Sequence, residues 1–111
     1  MMEDCPAICE VQLQNLPHLK SIDRFFGSKC PSLEYFQLSE LPELKSIGTY
    51  LLFECKSLRQ VSLVDLSSLE EIGSNSLRSC PMLRAVEVRG TPKLVKCDGI
   101  IRSAVYEDPE S

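Results

Sequence analysis

The sequence predicts a solenoid, a coil of short windings stacked along one axis. The first ground is repetition: "LPELKSIGTYLLFECKSL" at residues 41–58 recurs 25 residues later as "LSSLEEIGSNSLRSCPML" and 25 residues earlier as "LPHLKSIDRFFGSKCPSL". A fixed period of 20–50 residues is the mark of stacked repeat architectures. The second ground is what repeats. Seven columns head the template: Cys5/Cys30/Cys55/Cys80, Ile8/Leu33/Leu58/Leu83, Val11/Phe36/Val61/Val86, Leu13/Leu38/Leu63/Val88, Leu16/Leu41/Leu66/Thr91, Leu19/Leu44/Leu69/Leu94 and Ile22/Ile47/Ile72/Cys97. Of these 28 positions 27 are apolar, against 43% of the chain. The third ground is punctuation. Six of seven prolines fall in two columns, Pro6/Pro31/Pro81 and Pro17/Pro42/Pro92, where a fixed φ excludes a continuous helix.

Each winding then resolves into three pieces. The first has the pattern of Leu33, Phe36 and Leu38, with Phe36 and Leu38 two apart on one side of an extended segment and Tyr35 and Gln37 on the other, a short strand. In the second, Leu41, Leu44 and Ile47 recur every third residue, which suits a loop or a second short extended piece. The column after the Ile holds Asp23, Gly48, Gly73 and Asp98, types that tolerate positive φ and predict a sharp corner. The third piece, "RFFGSKC" or "TYLLFEC", lacks proline and is compatible with one helical or 3-10 turn. The windings run at about 5–29, 30–54, 55–79 and 80–104 within a domain of residues 1–106, followed by an acidic tail at 107–111. "CDGIIRSAV" continues the template through Ile100, Ile101 and Val105, so neither end carries a dedicated cap. One winding cannot enclose its own apolar interior, so the copies must stack.

Composition limits the rest. A chain of 111 residues and 12.5 kDa holds one small domain. No apolar run approaches the roughly 20 residues that span a bilayer, so membrane insertion is not expected. "MMEDCPAICE" has neither the basic nor the apolar region of a signal peptide. The expected location is therefore cytoplasmic, with the cell surface as the alternative if the chain is a fragment of an exported protein. A net charge of −4, with 12 Lys and Arg that form no run, excludes nucleic acid as the expected partner.

The chemistry-bearing residues point to no reaction. Four cysteines occur once per winding, a ladder rather than a tetrahedral cage, and the shortest spacing, Cys5 to Cys9, is not that of a zinc site. Stacked strands lie ~4.8 Å apart, within disulfide reach. Yet Val105 shares the cysteine column and Cys97 replaces an Ile, so these slots take a modest hydrophobe and free thiols are expected, which favours a reducing compartment. His18 shares a column with Glu43, Ser68 and Lys93, a solvated position, and Glu70 and Glu71 lie among spacers. There is no G-x-S-x-G and no glycine-rich phosphate loop, so no catalytic residue, metal ligand or cofactor is assigned.

The L-x-x-L-x-L core at Ile8-Val11-Leu13, Leu33-Phe36-Leu38, Leu58-Val61-Leu63 and Leu83-Val86-Val88 resembles a leucine-rich repeat. The longer pattern L-x-x-L-x-x-I-G…C-x-x-L-x-x-V-x-L is similar to the BspA-like class. The cysteine-containing repeats of F-box proteins match Cys30 to Leu38, but Leu41 and Leu66 stand where that class has a second Cys. The resemblance implies an α/β solenoid, a right-handed coil with a short parallel β-sheet on the concave face and loops, 3-10 or short helical turns on the convex face. Stacking aligns outward side chains in columns: Glu10/Tyr35/Gln60/Ala85, Gln12/Gln37/Ser62/Glu87, Gln14/Ser39/Val64/Arg89 and Asn15/Glu40/Asp65/Gly90. The expected function is a non-catalytic protein-binding module, part of a larger protein or assembly, holding Glu10, Gln12, Tyr35, Gln37, Gln60, Val64 and Arg89 toward a protein or peptide partner. The alternative is a structural spacer or a surface antigen or adhesin array, as similar BspA-like arrays suggest. An uncapped edge also predicts self-association or cover by another chain.

Overall fold

A computed structural model describes residues 6–97 and 99–104. Each winding opens on a five-residue strand: β1 (Glu10–Gln14), and, one winding apart, β3 (Tyr35–Ser39), β5 (Gln60–Val64) and β7 (Ala85–Arg89). These form a parallel sheet in the order β1-β3-β5-β7. The register is the 25-residue period itself: Leu13 pairs with Leu38, Leu38 with Leu63 and Leu63 with Val88. The second piece of each winding is extended too, as β2 (Ser21–Ile22), β4 (Ser46–Ile47) and β6 (Glu71–Ile72), a three-stranded parallel sheet that a bridge from Glu71 to Lys96 carries into the fourth winding. Three windings are thus complete in both sheets, and the fourth ends in helix α1 (Gly99–Ala104).

The apolar columns fill the interior. In the second and third windings Leu33, Phe36, Leu38, Leu41 and Leu44, with Leu58, Val61, Leu63, Leu66 and Leu69, are wholly buried. The outer windings cover theirs less well. Ile8, Val11, Leu13 and Leu19 are only partly buried, and Leu16 is 42% exposed where its counterparts Leu41 and Leu66 are fully covered. Identical chemistry in one column thus has different burial according to whether a winding has one neighbour or two.

Two local expectations are corrected. Gly48 and Gly73 do not adopt positive φ. They are glycines because successive windings touch there: a Cβ on Gly48 would lie 2.4 Å from the Arg24 backbone nitrogen, and one on Gly73 2.4 Å from that of Thr49. Each contact is to the preceding winding. Asp98, of the same column, lies outside the described residues. The positive-φ corner is instead the column Asn15, Glu40, Asp65 and Gly90, with φ between 52° and 67°, directly after each long strand. Asn, Asp and Gly are the types that tolerate this region. That column therefore turns the chain rather than continuing the strand.

The third side of each winding is made of turns. Positive φ recurs at alternate residues, Phe25, Gly27 and Lys29, then Tyr50, Leu52 and Glu54, then Asn75, Leu77 and Ser79. Backbone groups here bond across windings instead of along a helix: Phe25 N–H donates to Thr49 O at 2.8 Å, Lys29 N–H to Phe53 O at 2.7 Å and Leu77 N–H to Leu51 O at 2.8 Å. Phe25 and Tyr50 stack in parallel with centroids 4.9 Å apart.

The absence of a cap is corrected at the C-terminal end. Tyr50 N–H donates to Ser74 O and Glu54 N–H to Arg78 O in the following winding. The equivalent segment of the fourth winding is α1, whose few helical bonds replace part of that pairing. Ile101 on α1 is fully buried, and Arg102 Nη2 donates to Val95 O at 3.0 Å. Cys5, Val105 and the tail at 107–111 lie outside the described residues.

Candidate functional site

The outward face of the long strands carries every residue singled out for binding. Alternation along β3 sends Phe36 and Leu38 inward and Tyr35 and Gln37 outward. Register then sets Glu10 beside Tyr35, Tyr35 beside Gln60 and Gln60 beside Ala85; Gln12, Gln37, Ser62 and Glu87 form the next column, and Gln14, Ser39, Val64 and Arg89 the third. The seven predicted residues Glu10, Gln12, Tyr35, Gln37, Gln60, Val64 and Arg89 therefore share one surface. Several engage each other. The Tyr35 hydroxyl donates to Gln37 Oε1 at 2.9 Å, Gln12 Nε2 to Glu10 Oε1 at 3.4 Å, and Arg89 pairs with Glu87 at 3.4 Å. Ser39 and Ser62 are buried between their longer neighbours, Ser39 donating to Gln14 Oε1 at 3.4 Å.

A feature the sequence did not single out adjoins this face. Where the chain turns at the positive-φ column there is a groove of about 450 Å³, lined by Asn15, Pro17, Glu40, Pro42 and Asp65. Its signal was present as the column Asn15/Glu40/Asp65/Gly90 beside the paired prolines, but assigning that column to the strand hid the corner. Gly90 leaves room for the Asp65 carboxylate, whose Oδ1 lies 2.7 Å from where a Cβ would stand. His18, exposed as expected, contacts Glu43 of the next winding at 3.3 Å.

The cysteines serve the interior. Cys55 Sγ donates to Gly27 O at 3.0 Å and Cys80 Sγ to Leu52 O at 3.1 Å, so each thiol satisfies a carbonyl 28 residues earlier in the chain. A valine would fill the slot but leave that acceptor unpaired. Burial pushes the Cys55 thiol up to about 12; the Cys30 backbone hydrogen bond opposes this, and neighbouring Cys80 and Cys30 add to it. Cys80 is raised by the same burial. None of the five described cysteines, 9, 30, 55, 80 and 97, forms a disulfide. Among the described residues no group of three or more His, Cys, Asp or Glu is placed to hold a metal ion, and no helix is long and apolar enough to cross a membrane.

Parallel strands at a 25-residue register around a leucine-lined interior define a leucine-rich-repeat solenoid. Comparison with protein families narrows the class: the BspA type leucine rich repeat region matches residues 2–96 in six copies, where the 25-residue period counts four windings. The chain belongs to the BspA-type leucine-rich-repeat family. Comparisons with curated proteins and with solved structures gave no match. Repeats of this kind are typically non-catalytic and often used for protein interaction.

Proposed function

We propose that the protein is a non-catalytic binding module that presents the outward face of β1, β3, β5 and β7 to a protein or extended peptide. The observation that carries this reading is the composition of that face. Tyr35, Gln60 and Val64 project from paired strands whose packing is already completed by Phe36, Leu38, Val61 and Leu63 on the other side. Fixed strands hold these side chains with little conformational freedom left to lose on binding, which favours affinity. Panning a display library of random twelve-residue peptides on the protein tests this. Recovered peptides should bind the parent and lose binding to Tyr35→Ala/Gln60→Ala with an unchanged circular dichroism spectrum. Peptides indifferent to that pair, or none recovered, would refute it.

The alternative, a spacer or adhesin array within a surface protein, draws support from the family, whose repeats are often found on exported proteins. Free thiols favour the cytoplasm instead. A leader or anchor in the full-length gene would decide for the surface. A second contact is proposed at the outer side of the first winding, where Leu16 is 42% exposed and β1 is an edge strand. Self-association there predicts a mass by light scattering that rises with concentration. A constant monomer mass would exclude it.

A further inference from the structure

The proline-lined groove at the end of the strands has a chemistry that specifies its guest. Pro17 and Pro42, in equivalent places of adjacent windings, contribute apolar surface to the groove; Asn15, Glu40 and Asp65, also one winding apart, contribute polar groups. Neither Glu40 nor Asp65 has a side-chain ion-pair partner among the described residues, as is also true of Glu10, Glu54, Glu70 and Glu71. No cation lines the groove. The adjoining face has the same sign: its three outward columns and the corner column carry Glu10, Glu40, Asp65 and Glu87 against a single cation, Arg89, which Glu87 already engages. Arg84 stands at the opposite end of the strands, six residues before Gly90, or about 20 Å at the strand rise of ~3.3 Å per residue.

The larger depression, about 1010 Å³ over the second sheet, offers no comparable preference, because Asp23, Arg24 and Glu71 mix signs along its lining. The smaller groove is uniform. A lining of two prolines and two carboxylates on successive windings, whose backbones lie ~4.8 Å apart, fits a side chain with an apolar stem and a cationic head. Arginine fits better than lysine, since its planar fork can donate to both carboxylates at once, while an ammonium is a compact point charge.

We infer that the groove formed by Asn15, Pro17, Glu40, Pro42 and Asp65 receives an arginine side chain of a basic partner peptide lying along the strand face. This rests on the peptide-binding reading above and adds the partner's chemistry. The stem packs on Pro17 and Pro42, the guanidinium bridges Glu40 and Asp65, and the rest of the peptide runs over Tyr35 and Gln60.

The same random twelve-residue display library tests it. Recovered peptides should be enriched in arginine. By fluorescence polarisation, their affinity should fall at least tenfold when that arginine is replaced by norleucine, a change that leaves the protein untouched. A similar fall is expected for Glu40→Gln/Asp65→Asn, both near-isosteric, with Asn suited to the positive φ at residue 65. Binding should weaken between 50 and 500 mM salt, as charge recognition requires. Peptides without basic enrichment, or affinities within twofold after either change, would overturn the inference. If those peptides still depended on Tyr35 and Gln60, the strand-face reading would stand alone. If the library yielded no peptide at all, both would fall.

Discussion

At the scale of single residues, the cysteine column joins packing to pH. The Cys55 thiol is at once a core hydrophobe and the donor to Gly27 O, and both roles need its proton. Below pH 9 the thiol is protonated in the folded and the unfolded chain alike. Between pH 9 and about 12 the unfolded chain releases the proton while the folded one keeps it. The unfolded state then binds fewer protons, so stability, complete below pH 9, declines as pH climbs through that window. The urea midpoint should therefore fall between pH 9 and 10.5, and the slope should be shallower in Cys55→Ala, which is less stable at every pH but has one proton fewer to lose. Equal slopes would show that Cys55 ionises freely in the fold. The same protonation makes these thiols poor nucleophiles at neutral pH, which accords with a structural part rather than a reactive one.

Among elements, the strands were legible in the sequence and the corners were not. Period-2 alternation in Tyr35–Ser39 and its copies fixed strand, facing and register together, because a slip of one residue would turn Phe36 and Leu38 to solvent. The binding residues could be named for the same reason, as the outward half of that alternation. The corners depend on contacts between windings that no local pattern reports. Gly48 looks like a turn glycine until the Arg24 backbone is found against it, and Glu40 looks like a strand residue until its φ of 52° places it in the bend. The groove beside the strand face was missed with them. Helix α1 is the third piece of the fourth winding, where one helical turn was among the forms the sequence allowed, although the first three copies of that piece fold as turns. Its worth can be tested through Ile101, fully buried, against its neighbour Ile100, 45% exposed. Ile101→Ala should lower stability by about 2–5 kcal/mol, the usual range for emptying a covered aliphatic site, while Ile100→Ala should change it by less than about 0.5 kcal/mol. Similar small losses for both in chemical denaturation would mean that α1 closes nothing.

For the whole molecule, stability is distributed along one axis, each winding depending on its immediate neighbours. The column Leu13, Leu38, Leu63 and Val88 makes that dependence measurable, since chemistry is held nearly constant while the number of flanking windings changes. Leu38 touches a winding on either side and is wholly buried; Leu13 has the second winding on one side and is partly exposed. Truncating Leu38 opens a cavity between two packed layers, whereas truncating Leu13 removes surface that water already reaches. Leu38→Ala should thus cost about 2–5 kcal/mol, and Leu13→Ala less than half of that, by urea denaturation at pH 7. The shape of the transition carries further information. With so few windings no subset buries enough apolar surface to offset the ordering of its own backbone, so both variants should unfold in one step with the m-value of the parent. A second transition in Leu13→Ala would show the first winding opening separately, and the rigid face that joins Glu10 and Gln12 to Tyr35 would then exist only while that winding is covered by a partner.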